Sequence, residues 1–187
     1  AERKWEIDSL CYPMRLAHGY WTATRDKAPF DALWAKAMAR AVATLREQQR
    51  KDGPGPYHFQ RIDKSPTETL MFDGHGAPTR KVGLIHSGFR PSDDACFYPF
   101  LIPSNLFAMS ALRMLAQVLN EARDDAAAAQ DCAALAAEVD AALRAHGQMD
   151  DDRGGRVWAY EVDGYGNAIF MDDANVPSLS GLPLLGA

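Results

Sequence analysis

The chain has 187 residues, of which 47% are hydrophobic and 24% charged, so it can bury one sizeable core. Its net charge of −5 and the lack of a basic patch argue against a nucleic-acid partner. No apolar run approaches the roughly 18 residues of a membrane span. Three widely spaced cysteines make neither a metal-ligand pair nor a full disulfide framework. No signal peptide opens the chain, but neither does a methionine, so the compartment stays open.

Two helices are predicted in the first fifty residues. Residues 6–26 carry apolar side chains near helical spacing, and Pro13 predicts a kink or a late start. Residues 30–52 carry a clearer stripe, with Asp31 as the N-cap and Gly53 at the end. The charged opposite face of this second helix indicates that it faces solvent.

A long connection over residues 53–80 follows, marked by the turn signals GPGP, DKSP and DGHGAP. Within it, the alternation of Tyr57, Phe59 and Ile62 is compatible with a short strand. A connection of this length in a compact domain is usually functional or mobile.

Residues 87–105, SGFRPSDDACFYPFLIPSN, gather an arginine, two adjacent acids and several aromatics. Two neighbouring carboxylates repel each other, and apolar surroundings favour the neutral form. Asp93 and Asp94 could therefore supply a carboxyl that stays protonated near neutral pH. The alternative is a plain turn at Pro91-Ser92-Asp93 with the aromatics in the core.

Two more helices follow this stretch. Ser104 is predicted to cap a helix over 105–123 that is apolar almost all round and therefore buried. An amphipathic helix over 126–146 comes next, closed by Gly147. Residues 6–52 and 104–147 thus form two αα-hairpins, each a buried helix followed by an outer one.

The last forty residues predict a β-hairpin and the start of a third inner helix. Residues 157–161 and 168–171 flank DGYGN, which is typical of a hairpin loop. A buried helix is predicted to begin near Val176. The expected fold is therefore all-α: a helical toroid, incomplete here, with small β-hairpin and loop insertions.

Four runs of sequence resemble glycoside hydrolase family 125, and together they span the chain. They are RKWEIDSLCYPMRLA (3–17), SGFRPSDDACFYPFLIPSNLFA (87–108), YEVDGYGN (160–167) and MDDANVPSLSGLPLLG (171–186). The resemblance implies an (α/α)6 barrel, an exo-acting α-1,6-mannosidase, an inverting mechanism and no metal or other cofactor. It implies a mannose-containing oligosaccharide or N-glycan as partner. Residues 1–187 would be an internal part of a single, longer catalytic domain.

The resemblance also assigns roles to residues. It places the general acid at Asp93 or Asp94. The family's general base is a glutamate far downstream that nothing here matches, so residues 1–187 alone are expected to be inactive. Candidate mannose ligands are the polar residues near these motifs: Arg90, Ser92, Glu6, Asp8, Glu161, Asp163, Tyr165, Asp172, Asp173 and Asn175.

Several of these candidates have a structural alternative. Arg90 could be a counter-ion, because an unpaired buried carboxylate is costly. Asp163 lies in turn chemistry, and the Asp172-Asp173 pair could cap the third helix. Two rival functions also stay open: a toroid that binds glycans without turnover, and a module organised by a hard cation held by the acid pairs and Asn175.

Overall fold

Four long helices form the framework of the computed structural model, which describes residues 3–62, 65–150, 152 and 154–187. They are α1 (Ile7–Thr24), α2 (Ala32–Glu47), α4 (Ile102–Arg123) and α5 (Ala126–His146). Short helical turns lie at Pro66–Glu68, α3 (Met71–Gly74) and α6 (Leu182–Leu185). No helix in the described part of the chain is both long enough and apolar enough to cross a bilayer.

The first two helices confirm the predicted hairpin but not all of its details. α1 starts at Ile7 and continues through Pro13 rather than starting late. The side chain of Asp31 accepts a hydrogen bond from Trp34 N at 2.8 Å, so its capping role is confirmed. The prediction that α2 runs to Gly53 is wrong, because it ends at Glu47.

The early end of α2 has a tertiary cause. The carbonyl of Gln48 accepts a hydrogen bond from His86 N at 2.9 Å. The side-chain amide of Gln49 donates to Gly83 O at 2.8 Å. Both glutamines are buried, so the backbone leaves the helix to meet residues 83–86.

Helix α4 is the centre of the core, because most of its length is buried. The prediction that Ser104 caps it is wrong: the helix begins at Ile102, and Ser104 is buried inside its first turn. Residues just before the helix are held by strand pairing, and Ile102 N donates to Tyr160 O at 2.8 Å. The following helix, α5, matches the prediction at both ends, with Asp125 as N-cap and Gly147 as C-cap.

The two inner helices α1 and α4 run parallel. The ring of Tyr12 packs 5.0 Å from the ring of Phe107, and further along both helices Trp21 Nε1 donates to Glu121 Oε2 at 2.8 Å. Contacts that advance in the same direction on both helices require a parallel pair. Each of these helices is followed by an antiparallel outer helix.

The outer helices α2 and α5 are also parallel to each other. Arg46 Nη2 lies 2.5 Å from Asp131 Oδ1, and Lys51 Nζ just after α2 lies 2.5 Å from Glu138 Oε1. The four helices therefore form two layers, with the inner pair pointing one way and the outer pair the other.

Two small antiparallel sheets complete the described structure. The first has the order β1 (Phe100–Leu101), β4 (Glu161–Val162), β5 (Ala168–Ile169), and the second pairs β2 (Gln148–Asp150) with β3 (Arg156–Trp158). The predicted hairpin around DGYGN is confirmed as β4–β5. Residues 157–158 pair with β2 instead.

Two other predictions need correction. Residues 57–62 form no strand: Tyr57 and Phe59 are half-buried and Ile62 is exposed, but they lack a paired strand in the described structure. The third inner helix does not begin near Val176. Turns occupy the residues before α6, which has Leu182 and Leu185 buried.

Candidate active site

A turn at residues 90–94 carries the two adjacent acids. Arg90 O accepts a hydrogen bond from Asp93 N at 3.0 Å, and Arg90 N donates to Asp94 O at 2.8 Å. Asp93 has a φ of 72°, in the left-handed region that aspartate tolerates better than most residues. The predicted turn is therefore present, and it exposes both carboxyl groups to solvent rather than burying them among aromatics. The aromatics beside it are only partly in the core, because Phe97 is 58% exposed.

A buried ion pair ties this turn to strand β4. Arg90 Nε donates to Oε1 of Glu161 at 2.6 Å, and the side chain of Glu161 is 0% exposed. The other oxygen, Oε2, accepts from the backbone N–H groups of Phe97 and Tyr98, each at 3.0 Å. Burial lowers the pKa of Arg90, but its hydrogen bond and ion pair with Glu161 raise that pKa overall. Glu161 therefore anchors the loop that bears the acids, and Arg90 is its counter-ion.

Lys4, which the sequence did not single out, joins the turn to the start of α1. Its Nζ lies 3.0 Å from Glu6 Oε1 and also contacts Asp93 Oδ1. Lys4 lies in the run RKWEIDS, but nothing in that run distinguishes a bridging lysine from a solvated one.

Asp8 is a buried carboxyl group in the first turn of α1. It is 7% exposed, and its Oδ1 has no hydrogen-bond partner among the described residues. Burial, helped by the negative charge of Glu6, raises the pKa of Asp8 from 3.8 to about 6. Asp8 can therefore exchange a proton close to neutral pH.

The 172–175 segment meets the turn at Asp173. Its Oδ1 accepts from Asn175 N at 2.9 Å and from Asn175 Nδ2 at 3.0 Å. The Ser92 hydroxyl lies within hydrogen-bonding reach of Asp173 and is 3.1 Å from Asp94 Oδ2. Burial raises the pKa of Asp173, but these hydrogen bonds and the charge of Arg90 lower it overall. Asp173 and Asn175 thus belong to the same cluster as Ser92 and Arg90.

Three further candidates have local contacts instead. Asp163 accepts from Tyr165 N at 2.8 Å and from Asn167 Nδ2 at 2.6 Å, so its carboxylate closes the β4–β5 loop. Tyr165 is 63% exposed at the tip of that loop. Asp172 accepts from the backbone of Leu179 and Ser180 at 2.8 and 2.9 Å and stabilises the turn before α6. The capping alternative is thus supported for Asp172, although for a turn rather than for a helix.

A cavity of about 330 Å³ opens beside the turn. One wall comes from the 90–97 segment, with Arg90, Asp94 and Phe97, and the other from the long connection, with Thr67, Thr69 and Met71. The long connection, which the sequence analysis expected to be functional or mobile, therefore lines the candidate site. Hydroxyl, carboxylate and aromatic groups together are a suitable lining for a sugar.

Metal-ligating groups are not clustered in the described structure. Within residues 3–62, 65–150, 152 and 154–187, no three His, Cys, Asp or Glu side chains are placed to hold a metal ion. The thiols of Cys11, Cys96 and Cys132 are buried and free, and burial raises the pKa of each. They act as small apolar core residues.

Known proteins are similar to the chain over nearly its whole length. The family model described as metal-independent alpha-mannosidase (GH125) matches residues 1–187. The Meiotically up-regulated gene 157 protein of Schizosaccharomyces pombe is 41% identical over 194 residues, which cover 99% of this chain and 38% of that protein.

A solved structure is similar as well. It is an alpha-mannosidase from Streptococcus pneumoniae in a non-productive substrate complex with alpha-1,6-mannobiose, with a TM-score of 0.93 and 37% identity. The match covers 99% of this chain and 44% of that one, so the chain spans less than half the length of either relative. The resemblance in the sequence motifs is confirmed: the chain belongs to glycoside hydrolase family 125, the metal-independent alpha-mannosidases.

Proposed function

We propose that the chain is part of an exo-acting α-1,6-mannosidase that removes mannose from the non-reducing end of an oligosaccharide or N-glycan. The observation that carries the proposal is the similarity to the Streptococcus pneumoniae enzyme, whose complex contains alpha-1,6-mannobiose. The exposed acids of the 90–94 turn and the cavity beside them support it.

Inversion requires a general acid on one side of the glycosidic bond and a base-held water on the other. The two carboxyl groups stand roughly 6.5–9.5 Å apart in such enzymes. We assign the acid to the Asp93–Asp94 pair. Within the pair, Asp94 lines the cavity and Asp93 is bound by Lys4, so we assign the role of proton donor to Asp94. The base is then a glutamate outside residues 1–187, and on this proposal the 187 residues do not turn over mannosides by themselves.

The remaining cluster would hold the sugar. Carboxylates and amides bind neighbouring hydroxyl groups, and Glu6, Asp173 and Asn175 supply both kinds of group around the turn. Asp8 adds a buried oxygen whose hydrogen-bonding capacity is not used within the described structure. The other candidates would have structural roles. The β4–β5 loop contains Asp163 and Tyr165, Asp172 stabilises the turn before α6, and Glu161 holds Arg90.

The two-layer arrangement supports a toroid as the complete fold. The inner helices α1 and α4 are parallel, and each is followed by an outer helix of opposite direction, as two repeats of an (α/α)6 barrel would be. Residues 1–187 would then be part of one catalytic domain, with the hairpins at 6–52 and 104–147 as units. The segment that ends in α6 would lead into the third unit.

The test is the reaction itself, in protein that carries the complete family domain. Proton NMR of the hydrolysis of the methyl glycoside of α-1,6-mannobiose, whose leaving group has no free anomeric centre, should show β-mannose as the first free mannose, because a single displacement inverts the anomeric carbon. Initial α-mannose would contradict inversion. Saturable binding of mannobiose without turnover would favour the glycan-binding alternative. Binding of Ca²⁺ that is required for binding of the sugar would favour a metal-organised module.

A further inference from the structure

Arg50 is a half-buried cation at the end of α2 that is surrounded by neutral acceptors. Its Nη1 donates to His75 O at 2.8 Å and lies 3.0 Å from His86 Nε2. Its Nε and Nη2 lie 3.4 Å from Oε1 of Gln48. Within the described residues, no carboxylate forms an ion pair with this guanidinium.

His86 is neutral in this arrangement. It is 1% exposed, and burial, together with the charge of Arg50, lowers its pKa well below the ordinary value. A guanidinium has donors only, so Nε2 of His86 must accept the hydrogen bond and the ring proton lies on Nδ1. His86 therefore positions Arg50 without compensating its charge.

A charge in this position is costly. Burial lowers the pKa of Arg50 to about 10, which reflects the lost hydration of its charged form. The chain has more acidic than basic residues, with 25 Asp and Glu against 20 Lys and Arg, so a lack of carboxylates in the chain does not explain why Arg50 has none beside it. Arg46, near the end of α2, pairs with Asp131 at 2.5 Å, whereas Arg50, just after that helix, faces an open space. An anion from outside the chain would supply the missing charge.

That space is a cavity of about 430 Å³ whose ionisable lining residues are Arg50, His75 and Lys81. Of the described residues that line it, none is Asp or Glu. Lys81 is exposed, and its ammonium group has no partner in the described part of the chain. The buried Nδ1 of His75 also lacks a partner there. Of the five N–H groups of Arg50, one on Nη2 is left without an acceptor.

We propose that this cavity binds a phosphate or sulfate group, held by the guanidinium of Arg50 and the ammonium of Lys81. Both cations form short, charge-assisted hydrogen bonds to such oxyanions. Gly76 and Ala77 line this cavity and also the one beside Arg90 and Asp94, so the two spaces share a wall. The group could therefore be a free anion or a substituent of a bound sugar. The proposal does not rest on mannosidase activity.

Titration calorimetry with inorganic phosphate, at ionic strength held constant with chloride, tests the site. We expect saturable binding of one phosphate per chain. Lys81→Gln should weaken it at least tenfold, because a charged donor is lost and no contact within the described structure is broken. Arg50→Gln should weaken it further. Arg40→Gln removes the same charge from an exposed position on α2 and should leave affinity unchanged.

Either of two results would overturn the proposal: no saturable binding of phosphate, or equal losses of phosphate affinity in Lys81→Gln and Arg40→Gln. Lys81→Gln keeps the test decisive even if Arg50→Gln fails to fold. Titration with mannose 6-phosphate separates the two sources: tighter binding than that of phosphate identifies a sugar-borne group, and equal binding identifies the free anion. None of these measurements depends on hydrolysis of mannobiose, so failure of the proposed mannosidase function would not change their results.

Discussion

The Nε atom of Arg90 lies 2.6 Å from Oε1 of Glu161, and this pair joins the turn that bears Asp93 and Asp94 to strand β4. The Arg90 side chain is 15% exposed and that of Glu161 is 0% exposed. Removing one member would leave the other charge buried without compensation. The placement of the acids therefore depends on a residue that lies far along the chain.

Glu161→Gln should lower the free energy of unfolding by about 3 kcal/mol, because it removes one charge of a buried pair. Urea unfolding measures the loss. The matched control is Asp131→Asn, which breaks the exposed ion pair with Arg46 and should cost less than about 1 kcal/mol. Equal costs for the two variants would show that the buried pair does not anchor the turn.

In the complete enzyme, Asp94→Asn should reduce mannoside turnover by about 10²–10⁴-fold, the usual contribution of a general acid. Asp93→Asn should cost less, because Asp93 is paired with Lys4 and it is Asp94 that lines the cavity. A substrate with an acidic leaving group needs little protonation and should restore much of the lost rate in Asp94→Asn. Near-normal turnover in both variants would make the turn structural. A larger loss and rescue in Asp93→Asn would exchange the two roles.

Asp8 should make stability depend on pH. Its pKa is 3.8 as an ordinary carboxyl and about 6 in the fold, so between these values the folded protein keeps a proton that the unfolded chain has released. The free energy of unfolding should therefore fall as the pH rises through this window. The full effect, about 3 kcal/mol at most, is reached above it.

Asp8→Asn should remove this dependence, so its stability relative to the parent should increase as the pH rises. Urea unfolding at several pH values between about 4 and 8 checks the trend. Asp150→Asn, at a side chain that is 84% exposed, should give a curve parallel to the parent. A parallel curve for Asp8→Asn would show that Asp8 does not titrate as the buried environment requires.

Chelation should leave the activity of the complete enzyme unchanged. The proposed chemistry uses carboxyl groups alone, and Asp93 and Asp172 already have a lysine and backbone N–H groups as neighbours. Initial rates before and after treatment with EDTA provide the measurement. A loss of activity that a divalent cation restores would return the metal-organised alternative to first place.

Local signals allowed parts of the fold to be predicted. The prediction of helix α5 was correct at both ends because the residues that cap it, Asp125 and Gly147, are adjacent to it in the sequence. The end of α2 and the start of α4 were missed because distant contacts set them. Gln49 reaches Gly83, and the residues before α4 pair with β4. The spacing of apolar residues within a helix does not indicate which distant segment will contact its ends.

The candidate site also combines features set by local sequence with features set by distant contacts. The acids and Arg90 stand out because one short motif holds them together. The bridging role of Lys4 and the anchoring role of Glu161 depend on contacts between distant segments, and both side chains look ordinary in their local sequence. Asp163 was recognisable as turn chemistry because its partners, Tyr165 and Asn167, lie in the same loop.

The parallel pairing of α1 with α4 also has a consequence for folding order. Trp21 bonds to Glu121 across 100 positions of sequence, whereas α4 and α5 are joined by a two-residue connection. Closing a long loop costs entropy before its contacts repay it, so we expect the α4–α5 hairpin to form early and α1 to dock late. Trp21→Phe, which removes the indole N–H donor, should then accelerate unfolding and leave the folding rate unchanged in stopped-flow experiments. A slower folding rate would place α1 in the folding nucleus.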